Sequence, residues 1–309
     1  MTQQLQHRAP IPAVSLESII AGLAREASVE INVQDLRDVE ASRAFLAPGR
    51  RIFVSFLPKQ TWEETAAACR TLKQAGFDPV PHVPVRLLTD EQMLDELVAG
   101  LVRDVEVEEL LLLSGDYPQG RGPFSRVEDV LETGVLAKYG LQRVSFAGHP
   151  EGHPEVPVEE VRRAERAKTL GAAESGLEVS FVTQFFFEAE PFLAWVEAMR
   201  SSGVQVRLVA GLAGPARIST LFKFAMRCGA GPSIRALGAR PTAFTKLIAD
   251  HGPQNVLRNL AQAQSTGASD FSGIHLFCFG GYLHTCAWLH RVASGEFCLN
   301  RTGGFDINY

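Results

Sequence analysis

Eight short runs of β-prone residues recur along this chain, and helix-like stretches separate them. The runs cover residues 28–31, 52–55, 80–82, 110–116, 144–149, 179–184, 206–211 and 274–279. Alternating strands and helices favour a parallel sheet, because each helix returns the chain to the starting edge of the sheet. The pattern predicts an α/β fold, and eight repeats of the unit indicate an eightfold (β/α)8 TIM barrel.

The whole chain, residues 1–309, is expected to form a single barrel domain. Helices are predicted over 61–75, 89–102, 127–139, 158–175, 191–202 and 282–292. An extra N-terminal helix is expected from Ser15, and an insertion before the last strand should hold helices near 218–227, 241–251 and 253–265. Residues 1–14 read as a loose leader and residues 294–309 as a polar tail.

Composition favours a soluble globular protein, with 46% apolar and 21% charged residues. The formal charge of −5 gives no electrostatic reason to bind nucleic acid or an anionic membrane. The five scattered cysteines lack the paired spacing of a disulfide framework or a zinc site, which suits a reducing compartment. No signal peptide is evident, and no apolar run approaches the roughly 20 residues that span a bilayer. We therefore expect a cytoplasmic protein, and its oligomeric state, a homo-oligomer included, is left open.

Polar residues stand at or just past the ends of several strand runs. In an eightfold barrel such residues form the active site. The residues expected to converge are Glu30, Ser55, His82, Asp116, His149, His153 and Gln184. A carboxylate at a barrel mouth is partly desolvated, so we expect the pKa of Glu30 to be raised toward the range useful to a general acid. An exposed strand residue is the alternative for Glu30.

Two glycine-containing loops follow the middle strands. Gly115 and Asp116 end an apolar strand, and the flexible backbone there could approach a bound group, although a simple turn fits equally well. Residues 147–155 read AGHPEGHPE, and the prolines keep this segment extended. Its histidines and glutamates could contact a phosphate or a ring-bearing cofactor, bind a metal ion, or only shape the loop. The ligand spacing argues against the metal site.

Gln184 ends a strand and precedes three phenylalanines. Its amide both donates and accepts hydrogen bonds, so it could recognise the edge of a heterocycle. Most of the phenylalanines are expected to fill the core.

Taken together, these motifs resemble the methylenetetrahydrofolate reductase family. Gly115-Asp116 with the Pro and Gly that follow, the HPEGHPE string at 149–155 and the TQFFF string at 183–187 occur in the family's order and at nearly its spacing. The resemblance is specific over residues 110–187 and weaker over 30–288. It implies an FAD-dependent barrel enzyme that uses NADH or NADPH to reduce 5,10-methylene-tetrahydrofolate to 5-methyl-tetrahydrofolate, with each substrate stacking in turn on the flavin.

The resemblance also implies roles for individual residues. Glu30 matches the acid that promotes opening of the folate's five-membered ring, and Asp116 matches a carboxylate beside the flavin. Gln184 matches the amide that binds the pterin, and Phe277 is a candidate for the slot that both substrates share. The implied FAD contacts are Ser55, His82, Gly115, Asp116, Phe124, Ser125, His149 and His153.

Two departures from the family pattern affect charged positions. Ala172 stands near the place of a lysine that serves the FAD phosphates, so Lys168 or Arg166 of the same helix is expected to substitute. Gly280 and Gly281 stand where the family has Asn and Arg, which removes a cation from the side that recognises the folate tail and the nicotinamide.

Two other functions stay open at this point. One is a folate-linked barrel protein with a different one-carbon reaction, either the oxidation of methyl-tetrahydrofolate or flavin-free handling of a methyl group. The other is a non-catalytic folate-binding subunit. The sequence does not choose between NADH and NADPH.

Overall fold

The structure, a computed structural model, describes residues 14–308 apart from 116, 118, 154 and 228–251. Eight parallel strands form a closed barrel in the order of the sequence, which confirms the predicted fold class. The strands are β1 Ser28–Ile31, β2 Arg51–Val54, β3 Asp78–Pro84, β4 Glu109–Leu113, β5 Arg143–Gly148, β6 Glu178–Thr183, β7 Arg207–Ala213 and β8 Gly273–Phe277. β8 pairs with β1 and closes the barrel.

Helices surround the barrel. They are α1 Leu16–Glu26, α2 Val39–Ser42, α3 Trp62–Gln74, α4 Glu91–Ala99, α5 Val127–Leu131, α6 Val135–Lys138, α7 Val158–Glu174, α8 Ala189–Ser201, α9 Ile218–Arg227, α10 Gln254–Ser265 and α11 Tyr282–Ala293. Local sequence explains several of their ends. The Thr61 hydroxyl accepts a hydrogen bond from the Glu64 N–H at 3.2 Å, and the Glu64 carboxylate accepts one from the Thr61 N–H at 2.8 Å. This reciprocal cap starts α3 where the sequence predicted.

Two predicted helices differ from the observed ones. The helix expected over 127–139 is divided into α5 and α6, because Gly134 adopts a left-handed conformation with φ +67°. The helix expected over 89–102 ends at Ala99 and continues as a single wider turn, Gly100–Asp104.

The ends of the chain and the late insertion agree in part with expectation. The extra N-terminal helix is α1, and it packs against α10, α11 and β8. The insertion contains α9 and α10 between β7 and β8, while the predicted helix at 241–251 lies outside the described residues. Residues 1–13 of the expected leader also lie outside them. The predicted polar tail instead contains an antiparallel hairpin, Phe297–Leu299 with Phe305–Ile307.

The hydrophobic core has two layers, as the alternation of strand side chains requires. Most buried apolar residues lie between the strands and the helices. A smaller cluster fills the barrel interior and consists of Phe53, Val80, Leu111, Val182 and Val209. Among the residues described, the structure finds no helix with the length and apolar character that crossing a membrane requires.

Candidate active site

The most concentrated polar group at the barrel mouth is centred on Glu30. This residue lies in β1, where it is in register with Phe53 of β2 and Phe277 of β8. The Nε2 atom of His82 lies 3.5 Å from Glu30 Oε2, and the Nε2 atom of His275 lies 3.6 Å from the same oxygen. Three strands that are distant in sequence therefore bring two imidazoles to one carboxylate oxygen.

The two histidines are held differently. His275 is 1% exposed at its side chain, and its Nδ1 atom is hydrogen-bonded to the Ser28 hydroxyl at 2.9 Å. The His82 side chain is 15% exposed. The Nε2 atoms of both rings are buried without a hydrogen-bond partner. Sequence reasoning identified His82 and missed His275, although a polar residue between Ile274 and Leu276 in an otherwise apolar strand was a usable signal.

Burial and these neighbours set the ionisation of Glu30. Burial alone raises the pKa of Glu30, but the charge of His82 and the polar contact and charge of His275 lower it by more, so the pKa lies below its usual value. The expectation of a raised pKa was wrong, because it took account of desolvation and not of two histidines supplied by other strands. Burial, only partly opposed by Glu30, also lowers the pKa of His82.

The loop after β4 is attached to the loop after β3 by Arg86. The Arg86 guanidinium donates hydrogen bonds to the carbonyl oxygens of Tyr117 at 2.8 Å, Ser125 at 3.0 Å and Gly115 at 3.4 Å. Gly115 has φ +88°, a conformation that favours glycine. Asp116, the predicted carboxylate beside the flavin, lies outside the described residues. Arg86 thus shapes both sides of the position that Asp116 occupies, and sequence reasoning missed it.

The two histidines of the HPEGHPE segment lie together after β5. The rings of His149 and His153 meet edge to face with centroids 5.4 Å apart, and His153 Nδ1 accepts a hydrogen bond from the Glu155 N–H at 3.2 Å. Burial, followed by the positive charges of Lys168, His153 and Arg162, lowers the pKa of His149 to about 3. His149 is therefore neutral near pH 7, and its ring can exchange hydrogen bonds without carrying charge.

A buried carboxylate supports this loop from helix α7. Glu165 is 1% exposed and accepts hydrogen bonds from Trp195 Nε1 at 3.1 and 3.3 Å and from the Arg162 guanidinium at 2.8 Å. The backbone N–H of His149 points at the same carboxylate at 3.5 Å. Nothing in the local sequence distinguished Glu165 from the other charged residues of α7, because its burial depends on α8 packing over it.

Lys168 lies three residues beyond Glu165 on the same helix and close enough to His149 to affect its pKa. Burial lowers the pKa of Lys168, and the carboxylates of Glu128 and Glu165 only partly oppose this. Glu165 is already paired with Arg162, and no ion pair of Lys168 is found in the described part of the chain. A partly buried ammonium without an ion-pair partner is suited to an anionic ligand such as a phosphate.

On the neighbouring strand, Gln184 follows β6, and its backbone N–H donates to the Gly148 carbonyl at 3.0 Å. Its side-chain oxygen accepts from the Phe185 N–H at 3.1 Å, and within the described residues the amide N–H2 group has no hydrogen-bond acceptor. The Phe185 ring contacts Phe277 and Phe279 at 5.7 and 4.9 Å, and Phe279 stacks on Phe224 at 4.3 Å. These four rings form an aromatic wall beside Gln184.

Beside this wall the packing leaves no room for a side chain at Gly280, whereas a Cβ atom on Gly281 would meet no atom of the described residues within 4 Å. A Cβ atom on Gly280 would collide with the Pro215 carbonyl oxygen and lie 2.8 Å from the Ala216 Cα. The loop after β8 therefore packs directly on the loop after β7, and no side chain fits at that position.

The remaining predicted contacts differ in position: Ser55 directly follows β2, whereas Phe124 and Ser125 lie just before α5. The Ser55 hydroxyl donates to the Ile31 carbonyl at 2.9 Å, which joins the ends of β1 and β2. Ser125 is exposed, and its N–H donates to Asp129 at 2.8 Å. Phe124 is 3% exposed, so its side chain belongs to the core beneath the loop.

A cavity of about 510 Å³ opens between the loops that follow β2, β3 and β4, and none of Glu30, His82 and Gln184 lines it. Its lining includes the aromatic rings of Phe56, Trp62 and Tyr117 and the cations Lys59 and Arg121. Such a lining is suited to a ring-bearing anion. Among the described residues, no group of three or more His, Cys, Asp or Glu side chains could hold a metal ion.

Comparison with known proteins assigns the chain to a family. The family model described as methylenetetrahydrofolate reductase matches residues 59–231, more than half of the chain. The chain is 26% identical over 165 residues to 5,10-methylenetetrahydrofolate reductase of Pectobacterium carotovorum subsp. carotovorum, covering 53% of each protein. It is 24% identical over 152 residues to the protein of that name in Escherichia coli K12, covering 49% of each.

A plant relative is also similar over a shorter segment. Methylenetetrahydrofolate reductase (NADH) 1 of Arabidopsis thaliana is 28% identical over 124 residues, which are 36% of this chain and 21% of the plant protein. The alignments thus span about half the length of the bacterial relatives and about a fifth of the plant protein. Because the family model covers most of the barrel strands, including β4, β5 and β6 with their loops, this chain belongs to the methylenetetrahydrofolate reductase family.

Proposed function

We propose that this protein reduces 5,10-methylene-tetrahydrofolate to 5-methyl-tetrahydrofolate with electrons from NAD(P)H and with FAD as its cofactor. The observation that carries the proposal is the carboxylate of Glu30 at the barrel mouth, with His82 and His275 at 3.5 and 3.6 Å. Opening the folate's five-membered ring requires a proton at the departing nitrogen. Because the pKa of Glu30 lies below its usual value, the carboxylate takes up this proton at the mouth of the barrel before delivering it. Family membership supports the choice of substrate.

Two observations support a fit to FAD. Lys168 offers a partly buried ammonium without an ion pair in the described part of the chain, which suits a phosphate. The cavity between the loops that follow β2, β3 and β4 is lined by aromatic rings and by the cations Lys59 and Arg121, which suits a ring-bearing anion. When bound, FAD would accept a hydride from NAD(P)H and pass it to the folate, in a ping-pong order.

The protein's own residues then have separate tasks in the proposed reaction. Glu30 delivers the proton to the departing nitrogen, and His82 and His275 control when the carboxylate holds it. The amide N–H2 group of Gln184 binds the pterin edge, and the aromatic wall beside it excludes water from the reacting carbon. Asp116 remains a proposed electrostatic partner of the flavin, since it lies outside the described residues. NADH is the first nucleotide to test, because the plant relative is named for it.

The free thiols of Cys69, Cys278, Cys286 and Cys298 support the further proposal that the enzyme works in the reducing cytoplasm.

The test is an anaerobic two-step experiment on the purified protein. Reduction of a yellow protein by NADH or NADPH, followed by reoxidation on addition of 5,10-methylene-tetrahydrofolate, is the expected result. Glu30→Gln should lower the reoxidation rate by about 100-fold or more, while Glu197→Gln, an exposed carboxylate on α8, should leave it unchanged. A colourless protein that does not take up FAD would refute the proposal. Folate binding that is unaffected by Glu30→Gln, without turnover, would favour the non-catalytic subunit.

A further inference from the structure

The pair of histidines around Glu30 is asymmetric, and the asymmetry suggests a division of roles. The His275 ring is packed edge to face between Phe53 and Phe277, with centroids 4.8 and 4.9 Å away. The His82 ring has one such neighbour, Phe53, at 6.2 Å. Together with 1% against 15% side-chain exposure, these contacts make His275 the immobile member of the pair.

The contacts of His275 with Ser28 and Glu30 together favour one tautomer of its ring. The Ser28 hydroxyl and His275 Nδ1 are 2.9 Å apart and buried. If Ser28 donates to Nδ1, the neutral ring carries its proton on Nε2, which faces the carboxylate of Glu30. The opposite tautomer would place a nitrogen lone pair against a carboxylate oxygen, which is repulsive. The favoured arrangement is therefore Ser28 O–H to His275 Nδ1, with His275 Nε2–H directed at Glu30.

We propose that His275, anchored by Ser28, is a positioning residue that holds the Glu30 carboxylate at the barrel mouth and favours its ionised form. The inference rests on the proposed function for its catalytic consequence, but the contact itself is a property of the folded chain. His82 is more exposed and less constrained, so we assign it as the partner through which Glu30 exchanges protons at the mouth of the barrel.

The distances leave room for this exchange. Both separations from Glu30 Oε2, 3.5 and 3.6 Å, exceed a normal hydrogen bond of about 2.7–3.2 Å. A small movement of the Glu30 side chain brings its oxygen within bonding distance of either ring. The titratable groups that face Glu30 in the described part of the chain are His82 from β3, His275 from β8 and Cys278 just after β8. Burial keeps the Cys278 thiol protonated by raising its pKa, so the histidines are the groups that act on Glu30.

The test uses two substitutions of His275 whose side-chain amides reach different positions. In His275→Gln the side-chain amide places an N–H near the position of Nε2 and keeps the donor to Glu30. In His275→Asn the amide lies near Nδ1, so it keeps the Ser28 contact and loses the donor. Infrared difference spectra between each protein and the same protein carrying Glu30→Gln isolate the Glu30 carboxyl signal and follow its titration without any turnover.

We expect the pKa of Glu30 to rise in His275→Asn and to stay near the wild-type value in His275→Gln. In turnover, the decline of kcat at high pH should move to higher pH in His275→Asn, because an acid with a raised pKa stays protonated longer. Ser28→Ala keeps the ring and removes its anchor, so it should shift the Glu30 titration in the same direction by less.

Identical Glu30 titrations in the Asn and Gln variants would overturn the proposal, as would an unchanged titration in Ser28→Ala. Circular dichroism of each variant shows that it is folded, and Ser28→Ala carries the test if a His275 variant does not fold. If the titrations shift as expected but the wild-type protein does not reduce methylene-tetrahydrofolate, the positioning role stands and the proposed function fails.

Discussion

Replacement of Glu165 tests whether a buried carboxylate on α7 supports the cofactor-side loop. In Glu165→Leu, the Trp195 N–H that was 3.1 Å from the carboxylate and the Arg162 guanidinium that was 2.8 Å away both lose their acceptor. A buried unsatisfied N–H costs about 1–3 kcal/mol, and a hydrogen bond to a charged group contributes about 1.5–3 kcal/mol. The free energy of unfolding should therefore fall by about 3–5 kcal/mol, the usual cost of breaking one side of a buried pair.

Urea unfolding measures this change from the transition midpoint, provided that the slope of the transition stays the same. Glu165→Gln keeps an acceptor for Trp195 and should cost about half as much as Glu165→Leu. Glu160→Gln, which removes an exposed carboxylate paired with Arg163 on the same helix, should leave the midpoint nearly unchanged. Combining Glu165→Leu with Arg162→Leu should recover part of the loss, because no buried charge is then left unpaired.

A loss of less than about 1 kcal/mol in Glu165→Leu would refute this reasoning. It would mean that Trp195 and Arg162 find other partners or water when the carboxylate is removed. The same experiment has a functional consequence. Because the His149 N–H points at Glu165, weaker FAD binding should accompany the loss of stability in Glu165→Leu.

Three further predictions concern the same mouth of the barrel. Lys168→Met should weaken FAD binding about tenfold in fluorescence titrations, because a partner of the phosphate is lost. Arg166→Met on the exposed face should not weaken it. Equal effects would contradict the assignment of Lys168 as the phosphate-binding cation. The His149 pKa falls from 6.5 in the unfolded chain to about 3 in the fold, so stability is full above pH 6.5 and is lost as the pH falls toward 3. Between neutral pH and about pH 5 this loss should be about 1–2 kcal/mol in urea unfolding, and it should disappear in His149→Asn but persist in His284→Asn. Gly280→Ala should lower the unfolding free energy by about 1–3 kcal/mol or more through collision with Pro215, while Gly22→Ala, which meets no atom within 4 Å, should not destabilise the protein.

The fold was largely predictable because its signals are local. The apolar strand runs, the glycines after the helices and the reciprocal cap of Thr61 and Glu64 each lie within a few residues of one another. Local patterns failed where a single residue interrupts a segment that otherwise favours a helix. Gly134, between α5 and α6, is such a residue. The hairpin at 297–307 was not recognised, because its strands are short and it is supported from outside: Arg258 of α10 donates to the carbonyl oxygens of Asn300 and Gly304 at 2.7 and 2.8 Å.

The candidate site was predictable only in outline. Every barrel of parallel strands brings the carboxyl ends of those strands to one mouth. Glu30 and His82 could therefore be expected there before any contact was known. The neighbouring group that helps to set the ionisation of Glu30 could not be predicted in the same way. His275 follows Glu30 by more than 200 residues in sequence and meets it only because β8 pairs with β1.

The amino-acid sequence by itself determined the alternation of strands and helices, the barrel and the end of the barrel at which polar residues collect, because these follow from periodicity and from capping within single segments. Only the tertiary structure decided that Glu30 is more easily ionised than burial alone allows, that Glu165 is a buried acceptor, and that position 280 admits no side chain. The physical reason is that ionisation and close packing depend on distances between atoms of different segments, and those distances exist only once the barrel has closed.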